Sequence, residues 1–306
     1  MRCIYGTLGQ RSKFNIFMPS IHYTHKASGY SKEINGVFIS PMVYQPTPKG
    51  VKTLCAHYSA KYSIDLRSID LREEIPDYTD IFLLFRYLAD NPSLLDVEEG
   101  HSRGLILSHG TMHAIPLFIT KRGGTHSVVC FDSLSGPSVK AYYKMADVLR
   151  GYTLYLNEGT RQADLTSCIT DGICILKEAL LIDNLMCLLN ERVYTTHPAF
   201  AHTRFFNKNP PANFKLFKMP AQLLVTAQLP SYVRDADSDV VLRGGKTLKE
   251  YRSQFCITFS LFKGEDVTVK DINSYLYIKS AVHQVVLDAL EAKNNAISER
   301  CTSPAL

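Results

Sequence analysis

The sequence predicts an α+β fold built around a central mixed sheet. Two apolar and β-branched runs on either side of residues 121–124 are typical of a β-hairpin. A long, strongly apolar run after position 168 has the length and periodicity of a helix. The chain has 306 residues, of which 45% are hydrophobic, so it can bury a full core.

The other core elements follow in chain order from periodicity and turn residues. Residues 77–90 carry apolar side chains at helical spacing, and the Asn-Pro pair that follows ends this helix. We expect a strand at 104–109, a helix at 139–149 and another strand at 152–156. The predicted order is therefore helix, three strands, helix, strand and a final helix that begins near a cysteine.

The predicted hairpin brings a histidine and an aspartate together. We expect residues 121–124 to form its loop, and pairing from this loop sets His113 opposite Asp132. A carboxylate beside an imidazole raises the basicity of the ring, fixes its tautomer and orients it. His113 and Asp132 are therefore candidates for a general base and the group that orients it.

Cys168 lies where a thiol is easily activated. It precedes the helical run 169–189, and the preceding Asp164, Thr166 and Ser167 are residues that favour helix starts. The positive end of a helix favours thiolate over thiol and can lower a cysteine pKa from about 8.5 into the range of roughly 3.5 to 7.5. Gln162, six positions earlier, can offer a side-chain N–H to an oxyanion.

This set of residues resembles the clan CE cysteine proteases. The likeness rests on a histidine that leads a strand (His113), a strand end with the sequence Phe-Asp-Ser-Leu at 131–134, and Gln162 six positions before Cys168. Clan CE includes the SUMO-specific proteases, bacterial-effector deubiquitinases and, on a similar catalytic layout, the YopJ-type acetyltransferases. The resemblance covers about residues 77–190.

The resemblance implies a papain-like fold of the clan CE (SUMO-protease-like) type, with the nucleophile at a helix N-terminus. It also implies four catalytic roles, held by His113 as general base, Asp132 as its orienting group, Gln162 as oxyanion donor and Cys168 as nucleophile. Two positions depart from the pattern. Ala114 stands where many relatives carry tryptophan, and Ile169 stands where the proteases usually carry glycine. These changes bear on the substrate tunnel and the oxyanion loop.

Other residues compete for the same roles. His109 lies four positions before His113, and His126 lies on the hairpin, but near its turn end. Cys174 is the main rival thiol, although a position inside the helix should keep it buried and neutral. A single histidine or cysteine in an apolar segment is more often a packing residue than a catalyst, so the assignment depends on the four residues occurring together.

Composition argues against several classes of function. The net charge of +5 and the charged fraction of 21% fall short of the clustered basic residues of a nucleic-acid binder. The eight cysteines form no disulfide-scaffold or zinc-site spacing, which indicates reduced thiols and no metal. No apolar run is long enough to span a membrane, and the first residues lack the apolar stretch of a signal peptide. We expect a cytoplasmic protein or, by the resemblance, one delivered to a host cytosol by a bacterial secretion system.

We expect three regions along the chain. Residues 1–76 form an N-terminal arm, 77–190 the catalytic core, and 191–306 a mainly helical region packed on the core. Helices are predicted at 247–261 and 280–299. The second carries an apolar stripe that is typical of a core, formed by Val282, Val285, Val286, Ala289 and Leu290. The two flanking regions are candidates for substrate selection.

The resemblance implies a thiol hydrolase without a cofactor. Its partners would be ubiquitin or a ubiquitin-like protein and the host proteins conjugated to it, and the chain would be a bacterial effector. The first alternative is a YopJ-type acetyltransferase that uses acetyl-CoA and inositol hexakisphosphate and transfers acetyl to a host Ser, Thr or Lys. The aspartate at 132, where many such acetyltransferases carry glutamate, argues mildly against this. The second alternative is a non-catalytic binding module on the same fold.

Overall fold

The computed structural model describes residues 23–27, 32–34, 37–39, 42–74, 81–109, 113–133, 146–162, 167–194, 211–229, 232–233, 235–263, 266–273 and 275–302. The strands are β1 (Tyr23–Ala27), β2 (Lys32–Ile34), β3 (Val37–Ile39), β4 (Met42–Pro46), β5 (Asp65–Asp70), β6 (Ser102–His109), β7 (His113–Arg122), β8 (Thr125–Cys130), β9 (Thr153–Asn157), β10 (Phe214–Phe217), β11 (Cys256–Lys263) and β12 (Asp266–Asn273). The α-helices are α1 (Pro48–Tyr62), α2 (Leu71–Glu74), α3 (Ile81–Asp90), α4 (Cys168–Leu180), α5 (Leu185–Asn190), α6 (Asp235–Ser238), α7 (Leu248–Ser253) and α8 (Tyr275–Thr302). Short 3₁₀ helices span Pro92–Leu94 and Ala221–Thr226.

A mixed sheet forms the centre of the fold. Among the described residues it has six strands in the order β10-β9-β8-β7-β6-β5. The β8-β7-β6 pairs are antiparallel, and β5, β9 and β10 join their neighbours in parallel. This arrangement confirms the predicted α+β class with a central mixed sheet. The sheet takes β5 from the region before residue 77 and β10 from the region after residue 190, so it crosses both predicted boundaries.

Helices cover both faces of the sheet, which explains why its central strands are apolar on both sides. Successive side chains of a strand point to opposite faces, so Phe118 belongs to one core and Leu117 to the other. Helices α1 and α4 cover the first core, and α3 covers the second. Gly104 lets α4 approach β6 closely, because a Cβ at Gly104 would lie only 2.9 Å from Leu66 Cδ1 and 3.0 Å from Leu180 Cδ1.

The β7-β8 hairpin has a tighter turn than the sequence predicts. Its loop is the pair 123–124, two glycines with φ of +57° and +73°, which is the left-handed conformation of a two-residue hairpin turn. Pairing is therefore shifted, and Leu117 lies opposite Cys130. The prediction that His113 falls directly opposite Asp132 is wrong by two positions. It assumed a four-residue loop at 121–124, whereas the loop has two residues and Arg122 pairs with Thr125.

The C-terminal region differs from prediction in two places. The predicted helix at 247–261 ends at Ser253, and β11 begins at Cys256, where β-branched and aromatic residues set in. Helix α8 includes the predicted helix at 280–299, but the apolar stripe predicted to be core is partly exposed. Val282 and Val285 are 41% and 57% exposed, and the buried side of the helix is formed by Ser280, His283, Gln284 and Leu287.

Candidate active site

The four predicted site residues come to one end of the sheet. His113 begins β7, and β8, which runs antiparallel to it, ends two residues before Asp132. Strand β9 runs parallel to β8 and ends five residues before Gln162. The chain then reaches Cys168, the first residue of α4, which packs across β6 and β7. The topology therefore places all four positions at the same end of the sheet.

Cys168 lies at the positive end of a helix, as predicted. It is only 1% exposed, and Ser167 before it is the N-cap residue, whose carbonyl accepts from the backbone N–H of Asp171 at 2.8 Å. The first N–H groups of a helix have no partner within it, and together they carry a partial positive charge. This field stabilises an oxyanion formed beside Cys168.

Gln162 is held by a residue that the sequence did not single out. The hydroxyl of Ser133 donates to Gln162 Oε1 at 2.5 Å, and both side chains are buried. The backbone N–H groups of Arg161 and Gln162 also donate to the carbonyl of Ser133, at 3.1 and 3.4 Å. Because Oε1 accepts from Ser133, Nε2 is the donor end of this amide, which is the end that an oxyanion requires.

A second unpredicted feature is a buried ion pair next to these residues. The Arg161 guanidinium pairs with the carboxylate of Asp171, one turn into α4, and both side chains are almost fully buried. The same Nη2 donates to the carbonyl of Phe131 at 2.8 Å. The sequence gives no signal for this pair, because its members are ten positions apart and charged residues are mostly exposed.

Asp132 is buried in the same cluster. Burial raises the pKa of the Asp171 carboxyl, and the negative charge of Asp132 adds to that rise, whereas the Arg161 guanidinium opposes it. Two carboxyl groups and one guanidinium therefore share a low-dielectric environment beside the start of α4.

His113 is placed by its backbone alone. It is the first residue of β7, and its pairing partner in β6 is His109. The side chains of both histidines lie outside the described part of the structure. The convergence of the His113 ring with Asp132 and Cys168 therefore stays a prediction.

Two of the rival residues, Cys174 and His126, pack against neighbouring side chains. Burial raises the pKa of the Cys174 thiol to about 12, so this thiol is neutral at physiological pH, as its place inside the helix predicted. His126 pairs with Lys121 near the turn end of the hairpin, and its ring lies edge-on to Tyr152 with centroids 5.5 Å apart.

Neither a metal site nor a membrane-spanning helix occurs within the described ranges. No group of three or more His, Cys, Asp or Glu side chains is arranged to hold a metal ion there. The cysteines with described side chains, at positions 55, 130, 168, 174 and 187, are reduced thiols. No helix within these ranges has the length and apolar character needed to cross a membrane.

A cavity of about 490 Å³ lies along the second half of α4. Three cationic side chains line it, those of Lys177, Arg243 and Lys246, together with Glu178, which pairs with Lys177 at 2.8 Å. Lys177 is nine residues after Cys168, so helix geometry sets it about 14 Å from the cysteine along the axis. Helix α4 therefore connects the thiol to a basic cavity.

Solved structures share this architecture, although no protein-family model and no curated protein matches the sequence. A structure of AvrA with inositol hexakisphosphate and coenzyme A has a TM-score of 0.50 at 15% identity, covering 78% of this chain and 86% of AvrA. HopZ1a with the same two ligands has a TM-score of 0.56 at 9% identity, covering 79% and 84%. The chain has the clan CE fold.

The extent of this likeness adds to the sequence resemblance. AvrA and HopZ1a are members of the YopJ family. Residues 77–190 are little more than a third of the 306-residue chain, whereas the likeness covers more than three quarters of it. The shared fold therefore extends beyond residues 77–190 into the flanking regions.

Proposed function

We propose that the chain is a thiol acetyltransferase that takes an acetyl group from acetyl-CoA onto Cys168 and passes it to a hydroxyl or amine of a host protein. The observation that carries this proposal is the likeness to AvrA and HopZ1a across both the core and the flanking regions, in structures that hold coenzyme A. The proposal places the acetyltransferase ahead of the ubiquitin-like protease favoured by the sequence.

The proposed mechanism uses the four predicted site residues at one end of the sheet. His113 accepts the proton of Cys168, and the resulting thiolate attacks the acetyl carbonyl of acetyl-CoA. Gln162 Nε2 and the backbone N–H of Cys168 stabilise the oxyanion. His113 returns its proton to the departing thiolate of coenzyme A. It then accepts a proton from the acceptor, whose oxygen or nitrogen attacks the thioester. The C–S bond to Cys168 breaks, and the cysteine takes that proton back from His113, which restores the free enzyme. Asp132 orients the imidazole throughout.

The basic cavity along α4 has the donor chemistry for phosphate groups. We assign Lys177, Arg243 and Lys246 to a polyphosphate, either that of coenzyme A or inositol hexakisphosphate, because cationic side chains bind phosphate oxygens through charge-assisted hydrogen bonds. Two of these residues, Arg243 and Lys246, are exposed and accessible to a ligand. Bound ligand would occupy the far end of the helix that begins at the thiol.

The test is acetyl transfer from radiolabelled acetyl-CoA with and without inositol hexakisphosphate. Wild-type protein is expected to acquire label, and Cys168→Ala is expected to acquire none. Cys174→Ala is the matched control, since it removes a buried thiol from the same helix. Label that persists in Cys168→Ala at the wild-type rate would exclude the proposed nucleophile.

A ubiquitin-like protease is the second candidate, because the residue proposed for the third triad position, Asp132, is an aspartate as in the hydrolases. The reaction would use the same thiol and oxyanion donors, with water in place of the acceptor. Probes with a reactive C-terminus built on ubiquitin and on SUMO separate the two candidates. Probe capture by Cys168 together with absent acetyl label would establish the protease.

The proposed setting is a host cytosol, with the protein acting as a bacterial effector. The effectors AvrA and HopZ1a support this assignment through their shared fold. A biological effect that survives Cys168→Ala would instead establish a non-catalytic binding module on this fold.

A further inference from the structure

Arg161 links the separate segments that build the site. Its guanidinium contacts Phe131, the residue before Asp132, and also Asp171 on the first turn of α4. Its backbone N–H donates to the carbonyl of Ser133. The segment that carries Gln162 is therefore fastened to the end of β8 and to the helix of the nucleophile by one side chain and its own backbone.

Gln228 adds a second connection between the same segments. Its backbone N–H donates to the carbonyl of Arg161 at 2.9 Å, and its side-chain Nε2 donates to Ser167 Oγ at 3.3 Å. Ser167 directly precedes Cys168. The Arg161 segment is thus held at both the start and the first turn of α4.

We propose that Arg161 is a positioning residue for acyl transfer, which it supports by fixing Gln162 relative to Cys168. The inference rests on the proposed function, with Cys168 as nucleophile and Gln162 as oxyanion donor. Arg161 itself touches no reacting atom. It acts through Phe131, Ser133 and Asp171, which hold the donor at the distance that an oxyanion hole needs.

The energetics favour positioning over simple stabilisation. A buried ion pair pays a desolvation penalty that its attraction barely repays, and well-packed apolar side chains often serve stability as well. In the part of the chain that the structure describes, Nε and Nη1 of Arg161 make no hydrogen bond. A buried ion pair with unsatisfied donors contributes little to stability. The contacts of the Arg161 guanidinium with Phe131 and Asp171 are directional, however, and fix the position of the Arg161 segment.

The test is a double variant that removes the ion pair without leaving a buried charge, Arg161→Met with Asp171→Leu. We expect it to fold with a melting temperature near that of wild type, because both charges are lost together. Its kcat for Cys168-dependent acetyl transfer is expected to fall about 100-fold with little change in KM, since a misplaced group loses transition-state contacts.

A matched control comes from a second Arg–Asp pair. Arg192 likewise donates to a backbone carbonyl, that of Met219 at 3.0 Å, and to a carboxylate, that of Asp237 at 2.7 Å. Arg192→Met with Asp237→Leu removes this pair and is expected to leave kcat within about twofold of wild type.

Coupling to Gln162 separates positioning from structure. Gln162→Ala should lower kcat in wild type by about 100-fold, the usual loss for one oxyanion donor. In the Arg161→Met, Asp171→Leu background it should cost less than about fivefold, because the donor is already misplaced. The positioning role alone would be overturned by a folded Arg161→Met, Asp171→Leu variant with wild-type kcat. It would also be overturned if Gln162→Ala lowered kcat by the same factor in that background as in wild type. Wild-type protein without Cys168-dependent transfer would overturn the proposed function and this role together.

Discussion

Ser133 and Gln162 are joined by a buried hydrogen bond of 2.5 Å between the serine hydroxyl and the amide oxygen. This bond fixes which end of the amide faces Ser133. A hydroxyl that donates to Oε1 leaves the NH₂ group as the donor end, so the residue after Asp132 sets the orientation of the proposed oxyanion donor.

Replacing Ser133 is therefore expected to affect rate more than binding. Ser133→Ala should lower kcat by about fivefold to tenfold with KM little changed, corresponding to roughly 1 kcal/mol for one hydrogen bond. Steady-state acetyl transfer measures both constants. Ser102→Ala is the control. Its hydroxyl donates to Thr120 Oγ1 at a distance of 3.0 Å, and this hydrogen bond lies outside the candidate site. Equal kcat values for the two variants would argue against the orienting role.

Among Cys55, Cys174 and Cys187, thiol reactivity should follow burial. Burial raises the pKa of Cys55 and of Cys174 to about 12, so neither forms thiolate at pH 8. Exposed Cys187 should be alkylated first by iodoacetamide, and Cys55 and Cys174 should stay unmodified while the protein is folded. Peptide mass spectrometry after alkylation checks this order. Modification of Cys174 as fast as that of Cys187 would contradict it.

His283 should make the protein less stable in acid. Burial lowers its pKa to about 3, and the positive charges of Lys279 and Lys177 act in the same direction. Between pH 6.5 and 3 the unfolded chain binds a proton at this ring that the folded chain does not. The free energy of unfolding should therefore fall with decreasing pH, by about 1.4 kcal/mol per unit from this group.

Urea unfolding at pH 5, 6 and 7 measures this contribution. His283→Gln should show a shallower loss of stability between pH 7 and pH 5 than wild type does. His101→Gln changes an exposed histidine and should keep the wild-type slope. Parallel slopes for wild type and His283→Gln would show that the ring is not held neutral in the folded protein.

A side chain at Gly124, the second glycine of the hairpin turn, should destabilise the protein. Gly124→Ala places a Cβ at φ +73° and should lower the free energy of unfolding by about 1 kcal/mol. Gly151→Ala is the control, since an added Cβ meets no atom within 4 Å at either position and Gly151 has no positive φ. Urea unfolding of both variants at pH 7 compares them, and equal stability would contradict the strained turn.

The sequence predicts the start of α4 because its signal is local, but the single helical run expected at 169–189 ends at Leu180, and a separate helix, α5, spans Leu185–Asn190. A helical apolar run after Cys168 and the cap-forming residues before it are visible in one stretch. The hairpin is also visible, and its register error comes from the turn alone. Two adjacent glycines favour a two-residue loop, so the sequence at 123–124 already indicated the shorter turn.

The sequence could not reveal the buried polar cluster. Arg161, Asp171 and Ser133 meet only because β8, the chain after β9 and α4 converge at one edge. The same limit applies to α8, where a valine stripe predicts the buried face but tertiary packing instead buries His283 and Leu287. Which face a helix buries depends on its neighbours, and these come from distant parts of the chain.

The proposed nucleophile is tested most directly by trapping the acyl-enzyme. The protein is incubated briefly with acetyl-CoA, quenched in acid, digested and analysed by mass spectrometry. We predict an acetyl group on the peptide that contains Cys168, which hydroxylamine releases as expected of a thioester, and we predict its loss in Cys168→Ala. An acetylated protein in which Cys168 carries no thioester, and in which Cys168→Ala is acetylated as fast as wild type, would contradict it.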